Sequence, residues 1–141
     1  MLTNPTFGML IKRIHDTLEK QANHTLREQD LTMSQAVALG KLNRTYGKQA
    51  TMKELERILH VAQSTTAGVI ARLEQKGLVE SLGDTSDKRI KIVKITPLGE
   101  SFCQAAEQHM DDTEAKLLAG LTETEKGIFY SLLQKINDTI K

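Results

Sequence analysis

The stretch Asp84–Thr96, DTSDKRIKIVKIT, decides how this chain folds. Turn formers come first (Gly83, Asp84, Ser86), followed by two adjacent cations, Lys88 and Arg89, and then by an apolar and cationic run from Ile90 to Ile95. The pattern predicts a β-hairpin with a cationic tip: Leu78–Leu82 as the outgoing strand, Gly83–Lys88 as the loop and Arg89–Ile95 as the return. Directly upstream, AQSTTAGVIARLEQKG (62–77) reads as a helix with small polar residues in its first turns and Gly77 as its stop. A helix able to enter a major groove, beside a cationic loop able to reach the neighbouring minor groove, is the equipment of a winged helix. The pair points to a DNA-binding regulator.

Working outward, residues 5–26 place Phe7, Leu10, Ile11, Ile14, Leu18, Ala22 and Leu26 on one stripe, the signature of a long amphipathic helix. Thr32 with Gln35 reads as a capping box opening a second helix through Val37, Leu39 and Leu42, with its end near Tyr46-Gly47. Thr51 with Glu54 opens a short third helix on Leu55, Ile58 and Leu59, and a turn at 60–62 leads into the fourth. Thr96-Pro97 starts a fifth helix running to about Gly120, and Thr122 with Glu125 starts the last. The predicted order is α-α-α-α-β-β-α-α: mainly α, in the α+β manner of a winged helix. One domain spans 1–141, with a DNA-binding lobe over 31–96 and dimerisation helices over 1–30 and 97–141. The end helices carry apolar stripes that a winged-helix core does not need, and a second copy of the chain would cover them.

Composition narrows the class. The single cysteine, Cys103, excludes a disulfide within the chain, and no long apolar run suggests a membrane span, so a soluble cytoplasmic protein is expected. The net charge of +1 hides an asymmetry. Residues 40–96 hold eleven Lys and Arg against six Asp and Glu, a net of +5; the remaining eight basic and twelve acidic residues give −4. A nucleic-acid face flanked by a solvated assembly region would show this division.

Gln63, Ser64, Thr65 and Thr66 can exchange hydrogen bonds with base edges and phosphates from the start of the fourth helix; the plainer alternative is a solvated first turn. Arg89 in a narrow minor groove would meet enhanced negative potential; the plainer alternative is a surface ion pair with Asp87. Cys103 reads as a buried structural thiol rather than a redox sensor, having no basic neighbour in sequence. His15, His24, His60 and His109 lie at no metal-ligand spacing, so neither a metal nor another cofactor is expected. No nucleophile elbow, phosphate loop or zinc-hydrolase motif occurs, which argues against an enzyme. The rival class is a winged helix that docks a protein instead of a duplex; an apolar patch at 63–66 would favour it, and the polar residues there favour DNA.

Four segments, in order, make the chain resemble the MarR family of bacterial winged-helix transcription regulators over nearly its whole length. They are LTMSQAVAL (31–39), RLEQKGLVE (72–80), the wing signature Asp87, Arg89, Ile95, Thr96 and Gly99, and LTETE (121–125). The resemblance implies a homodimer joined through the terminal helices, double-stranded DNA with a palindromic operator as partner, and a small-molecule effector in a cleft between the two parts. It places residues 63–66 and Arg72 toward the major groove or its phosphates, Arg89 in the minor groove and Asp87 as the residue that orients the wing; Ser86 and Lys88 complete the expected DNA contacts. Redox-sensing and metal-sensing variants of the same regulator class also exist. Three positions depart from the pattern: Ala62 stands where a capping Ser is usual, Gly68 where a basic or polar reader is common, and Ser81 where Arg is frequent. The first two each cost about 1 kcal/mol of helix stability.

Overall fold

The computed structural model describes residues 3–83 and 90–140, which divide into two compact units, Met1–Glu107 and Gln108–Lys141. The chain is mainly helical with one small antiparallel sheet. In order, the elements are α1 (Phe7–Glu28), α2 (Met33–Asn43), β1 (Gln49–Thr51), α3 (Met52–Leu59), α4 (Gln63–Gln75), β2 (Val79–Gly83), β3 (Lys91–Ile95), α5 (Pro97–Leu117) and α6 (Glu123–Thr139).

Threonines start most of the helices. Thr6 accepts from the Met9 amide at 3.2 Å, which moves the start of α1 to Phe7, two residues beyond the expected Pro5. Thr32 and Gln35 form the reciprocal box at the head of α2, each bond 3.2 Å long. Thr51 accepts from the Glu54 amide at 3.1 Å, the threonine half of the box expected for α3. Thr122 and Glu125 close a full box on α6. Such caps satisfy first-turn amides that have no partner inside the helix, each contributing about 1 kcal/mol.

Two local expectations change. α2 ends at Asn43 rather than near Gly47; a separate 3₁₀ turn, Tyr46–Lys48, follows, and Gly47 takes its left-handed φ of 71° inside that turn. The turn delivers Gln49–Thr51 as a third strand that the sequence pattern did not reveal. β1 pairs with β3 in the order β1-β3-β2, with Ala50 opposite Val93, while Val79 to Gly83 run opposite Ile95 to Lys91. Thr51 is both the last residue of this strand and the cap of α3, because its extended backbone suits both roles.

The core lies in the first unit. Leu39 and Leu42 from α2, Leu55 from α3, Ile70 and Leu73 from α4 and Val93 from β3 are almost wholly excluded from solvent. α1 adds only Leu26. The first half of its stripe stays out, with Phe7, Leu10, Ile11 and Ile14 all exposed, while Leu18 and Ala22 are half-buried. In the second unit, the end of α5 is followed by α6, which buries no residue and exposes Ile128, Leu132, Leu133 and Ile136.

Two helical glycines show opposite constraints. A Cβ on Gly99 would sit 2.2 Å from the Leu78 carbonyl oxygen and 2.6 Å from the Ile95 side chain, so only glycine lets α5 pass this close to the end of the sheet. A Cβ on Gly68 would meet nothing within 4 Å. Gly99→Ala should therefore destabilise the fold by about 1–3 kcal/mol through overpacking, whereas Gly68→Ala should stabilise it by about 0.5–1 kcal/mol by restricting the unfolded chain. Chemical denaturation of the two variants checks both signs, and equal effects would refute the packing at Gly99.

Candidate nucleic-acid interface

α3 and α4 are joined by a tight turn in which His60 caps α3 in the left-handed conformation (φ 56°). α4 then opens at Ala62, which has the extended backbone of a cap but no side chain to bond the free amides. The departure noted at this position is thus expressed in the structure, and the first-turn N–H groups of α4 remain open to an outside acceptor.

The rotation of α4 sorts the expected site residues. Thr66, Ile70 and Leu73, at i, i+4 and i+7, turn into the core. Gln63, Ser64 and Thr65 are exposed, and so is Arg72. Thr66 departs from the sequence expectation. Its side chain is fully buried and its hydroxyl donates to the Ala62 carbonyl at 3.1 Å, so it is part of the inner face and cannot meet a base edge. The four-residue group becomes three, with Arg72 farther along the outer face. Ser86, Asp87, Lys88 and Arg89 lie outside the described residues.

The hairpin is tied to α4 by a residue that sequence reading missed. The Glu74 carboxylate accepts a hydrogen bond from the Ser81 hydroxyl on β2 and lies 3.4 Å from the Lys91 ammonium on β3. One side chain near the end of α4 thus holds both strands. The Lys91 pair is half-exposed and contributes at most about 1 kcal/mol; its value is positional. Ser81 and Lys91 lie 7 and 17 residues after Glu74 in sequence, and only the strand register brings the two to the same carboxylate. Ser81, where Arg is frequent in the resembling family, here acts as a neutral donor.

A second junction lies where β3 meets α5. The Thr96 hydroxyl donates to the Gly77 carbonyl at 2.6 Å and accepts from the Gly99 amide at 3.1 Å, while the Thr96 amide donates to Leu78. Gly77 takes its left-handed φ of 73° at the exit of α4. Thr96 and Gly99 of the wing signature therefore lock the end of α4 to the start of α5.

Cys103 is buried in the first unit, its Sγ 3.9 Å from the Leu39 carbonyl oxygen. Burial pushes its thiol above the usual range, and Glu107 adds to the shift, against weaker opposition from Lys48 and Arg44. Among the described residues no group of three His, Cys, Asp or Glu could hold a metal ion, and no helix is long and apolar enough to cross a membrane.

A helix-turn-helix whose second helix opens outward beside an antiparallel hairpin, with helical extensions at both ends, defines a winged-helix regulator fold. The chain belongs to the MarR family: residues 31–91 match the model of that family. The multiple antibiotic resistance protein MarR of Salmonella typhimurium is 32% identical over 130 residues, covering 92% of this chain and 89% of the relative. Among solved structures, wild-type apo MarR from E. coli superposes with a TM-score of 0.75 at 28% identity, over 96% of this chain and 98% of that one. A mutant of MepR from S. aureus bound to an oligodeoxyribonucleotide has the same fold, with a TM-score of 0.77 at 24% identity over 98% and 100% of the two chains.

The state of Cys103 is directly testable. Iodoacetamide should alkylate the folded protein much more slowly than the urea-unfolded chain at pH 8, because the raised thiol pKa keeps the neutral, less reactive form. Equal rates in the two states would contradict the burial.

Proposed function

We propose that this protein is a sequence-specific DNA-binding transcriptional regulator that acts as a homodimer on a palindromic operator and releases it when a small molecule binds. The observation that carries the reading is the first turn of α4: three small polar side chains, Gln63, Ser64 and Thr65, face solvent around uncapped amides. Such a turn suits base edges and a phosphate at once. The +5 balance of residues 40–96 and the exposed Lys91 and Lys94 on the hairpin favour a polyanion over an apolar partner surface. Lys88 and Arg89 would carry the hairpin's cations into the minor groove, and the oligonucleotide complex of the MepR mutant shows the fold in use on such a partner.

Dimerisation is supported by the exposed apolar stripes of α1 and α6, surface that a second copy of the chain would cover. A two-fold pair would set two reading helices about one turn of duplex apart, ~34–36 Å. An effector that binds one spacing of the heads better than the other would shift the equilibrium by that difference in affinity and no more. Repression follows where the operator overlaps a promoter.

Fluorescence anisotropy on duplex from the upstream promoter, taken across a salt series, tests the DNA reading. Six to ten phosphate contacts should give a log–log slope of roughly −5 to −9, and Arg89→Ala should weaken binding markedly; no binding at low salt would overturn the reading. Sedimentation should give twice the chain mass of 15.7 kDa. A strictly single chain at micromolar concentration would remove the dimer.

A further inference from the structure

Within the first unit, three cations converge on an open cleft of about 360 Å³, and of its lining only Arg72 has so far been given a contact. Arg27 comes from the last turn of α1, Arg72 and Lys76 from the end of α4, and Thr32 and Gln35 from the head of α2. One carboxylate, Asp30, shares the cleft, and it is already engaged: the Lys76 ammonium lies 3.1 Å from its Oδ2 and also donates to its backbone carbonyl. Asp30 itself takes a left-handed φ of 56°, so the α1–α2 connection is bent onto Lys76. Among the described residues neither Arg27 nor Arg72 has a carboxylate partner. Among the described residues, the cleft therefore carries two guanidinium groups without a carboxylate partner, beside the positive end of α2.

Its position relative to the reading turn indicates the ligand. Thr65, Gly68 and Arg72 lie on one stripe of α4, at steps of three and four, so the stripe runs from the first turn to the cleft. Arg72 is eight residues beyond Ser64, a rise of about 12 Å along the axis. The major groove is only about 8.5 Å deep, so an α4 that enters it along its axis, first turn on the base edges, would carry Arg72 at the level of the rim phosphates. Gly68 adds no side chain between the two. The cleft is open and bordered by three cationic side chains, which suits a backbone phosphate better than an enclosed small molecule.

On the reading given under Proposed function, we propose that this cleft is a phosphate seat, in which Arg27 and Arg72 together grip one DNA backbone phosphate at the rim of the groove entered by α4. Lys76 has a positioning role, holding the α1–α2 connection so that Arg27 reaches the cleft. The seat joins the first helix of the chain to the duplex and carries no sequence preference.

Arg27→Gln tests the seat in the full-length protein, with Lys20→Gln on the same helix as the charge-matched control. Arg27→Gln should lower the magnitude of the salt slope by up to about 0.9, one phosphate's worth, since Arg72 alone neutralises that phosphate only in part, and weaken binding several-fold and equally on promoter and scrambled duplexes. Lys20→Gln should leave the slope unchanged, and both variants should melt within a few degrees of wild type. An Arg27→Gln slope equal to that of wild type would overturn the seat while leaving the DNA reading intact. So would a loss confined to the promoter duplex, since that would mean base readout. Thermal stabilisation by inorganic phosphate that Arg27→Gln abolishes, with an unchanged DNA slope, would assign the cleft to a free anion instead and overturn the seat. Failure of wild type to bind any duplex would remove both the seat and the reading beneath it.

Discussion

The rotational setting of α4 is the constraint on which the rest depends. Thr66, Ile70 and Leu73 enter the same core as Leu39, Leu42, Leu55 and Val93, and truncating a buried leucine or isoleucine of this kind costs about 2–5 kcal/mol. A turn of the helix by one residue, ~100°, would pull that face out of the core and push Thr65 in. Packing therefore fixes which side chains look outward: Gln63, Ser64 and Thr65 at one end and Arg72 at the other. Thr66 reinforces the setting because its hydroxyl is returned to the helix backbone at Ala62, leaving no buried donor unpaired.

The hairpin and α5 are referenced to the same helix. Glu74 reaches β2 through Ser81 and β3 through Lys91, while Thr96 bonds the helix exit at Gly77 and caps α5 at Gly99. These are modest interactions individually. Their effect is geometric, since they fix the base of the hairpin and the start of α5 to the end of the helix that presents residues 63–65. Gly99 permits the close approach that the junction requires. The Lys76–Asp30 contact does the same for the α1–α2 connection and so brings Arg27 beside Arg72.

How much of this could be read beforehand follows from the range of each signal. Capping threonines at 32, 51, 96 and 122 act over three residues, and all four stand where the pattern placed them. The two strands of the hairpin were legible from their alternation, and the register of β2 with β3 agrees, with Gly83 in the strand rather than in the loop; the turn formers Asp84 and Ser86 lie outside the described residues. β1 was not, because three residues are too few for a period and its pairing with β3 joins positions more than forty residues apart. Thr66 was misplaced because composition marks it as polar, whereas its burial depends on the phase of the whole helix. Glu74 and the Arg27 cleft were invisible for the same reason: each exists only once elements distant in sequence are packed side by side.

The central claim is that the buried face of α4 leaves residues 63–65 free to meet duplex, and maleimide labelling tests it most directly. In a Ser64→Cys variant the new thiol should react rapidly, and saturating promoter duplex at low salt should suppress the reaction; a Thr66→Cys variant should stay slow with or without DNA. Labelling of the Ser64→Cys variant that is as fast on saturating duplex as without it would contradict the account.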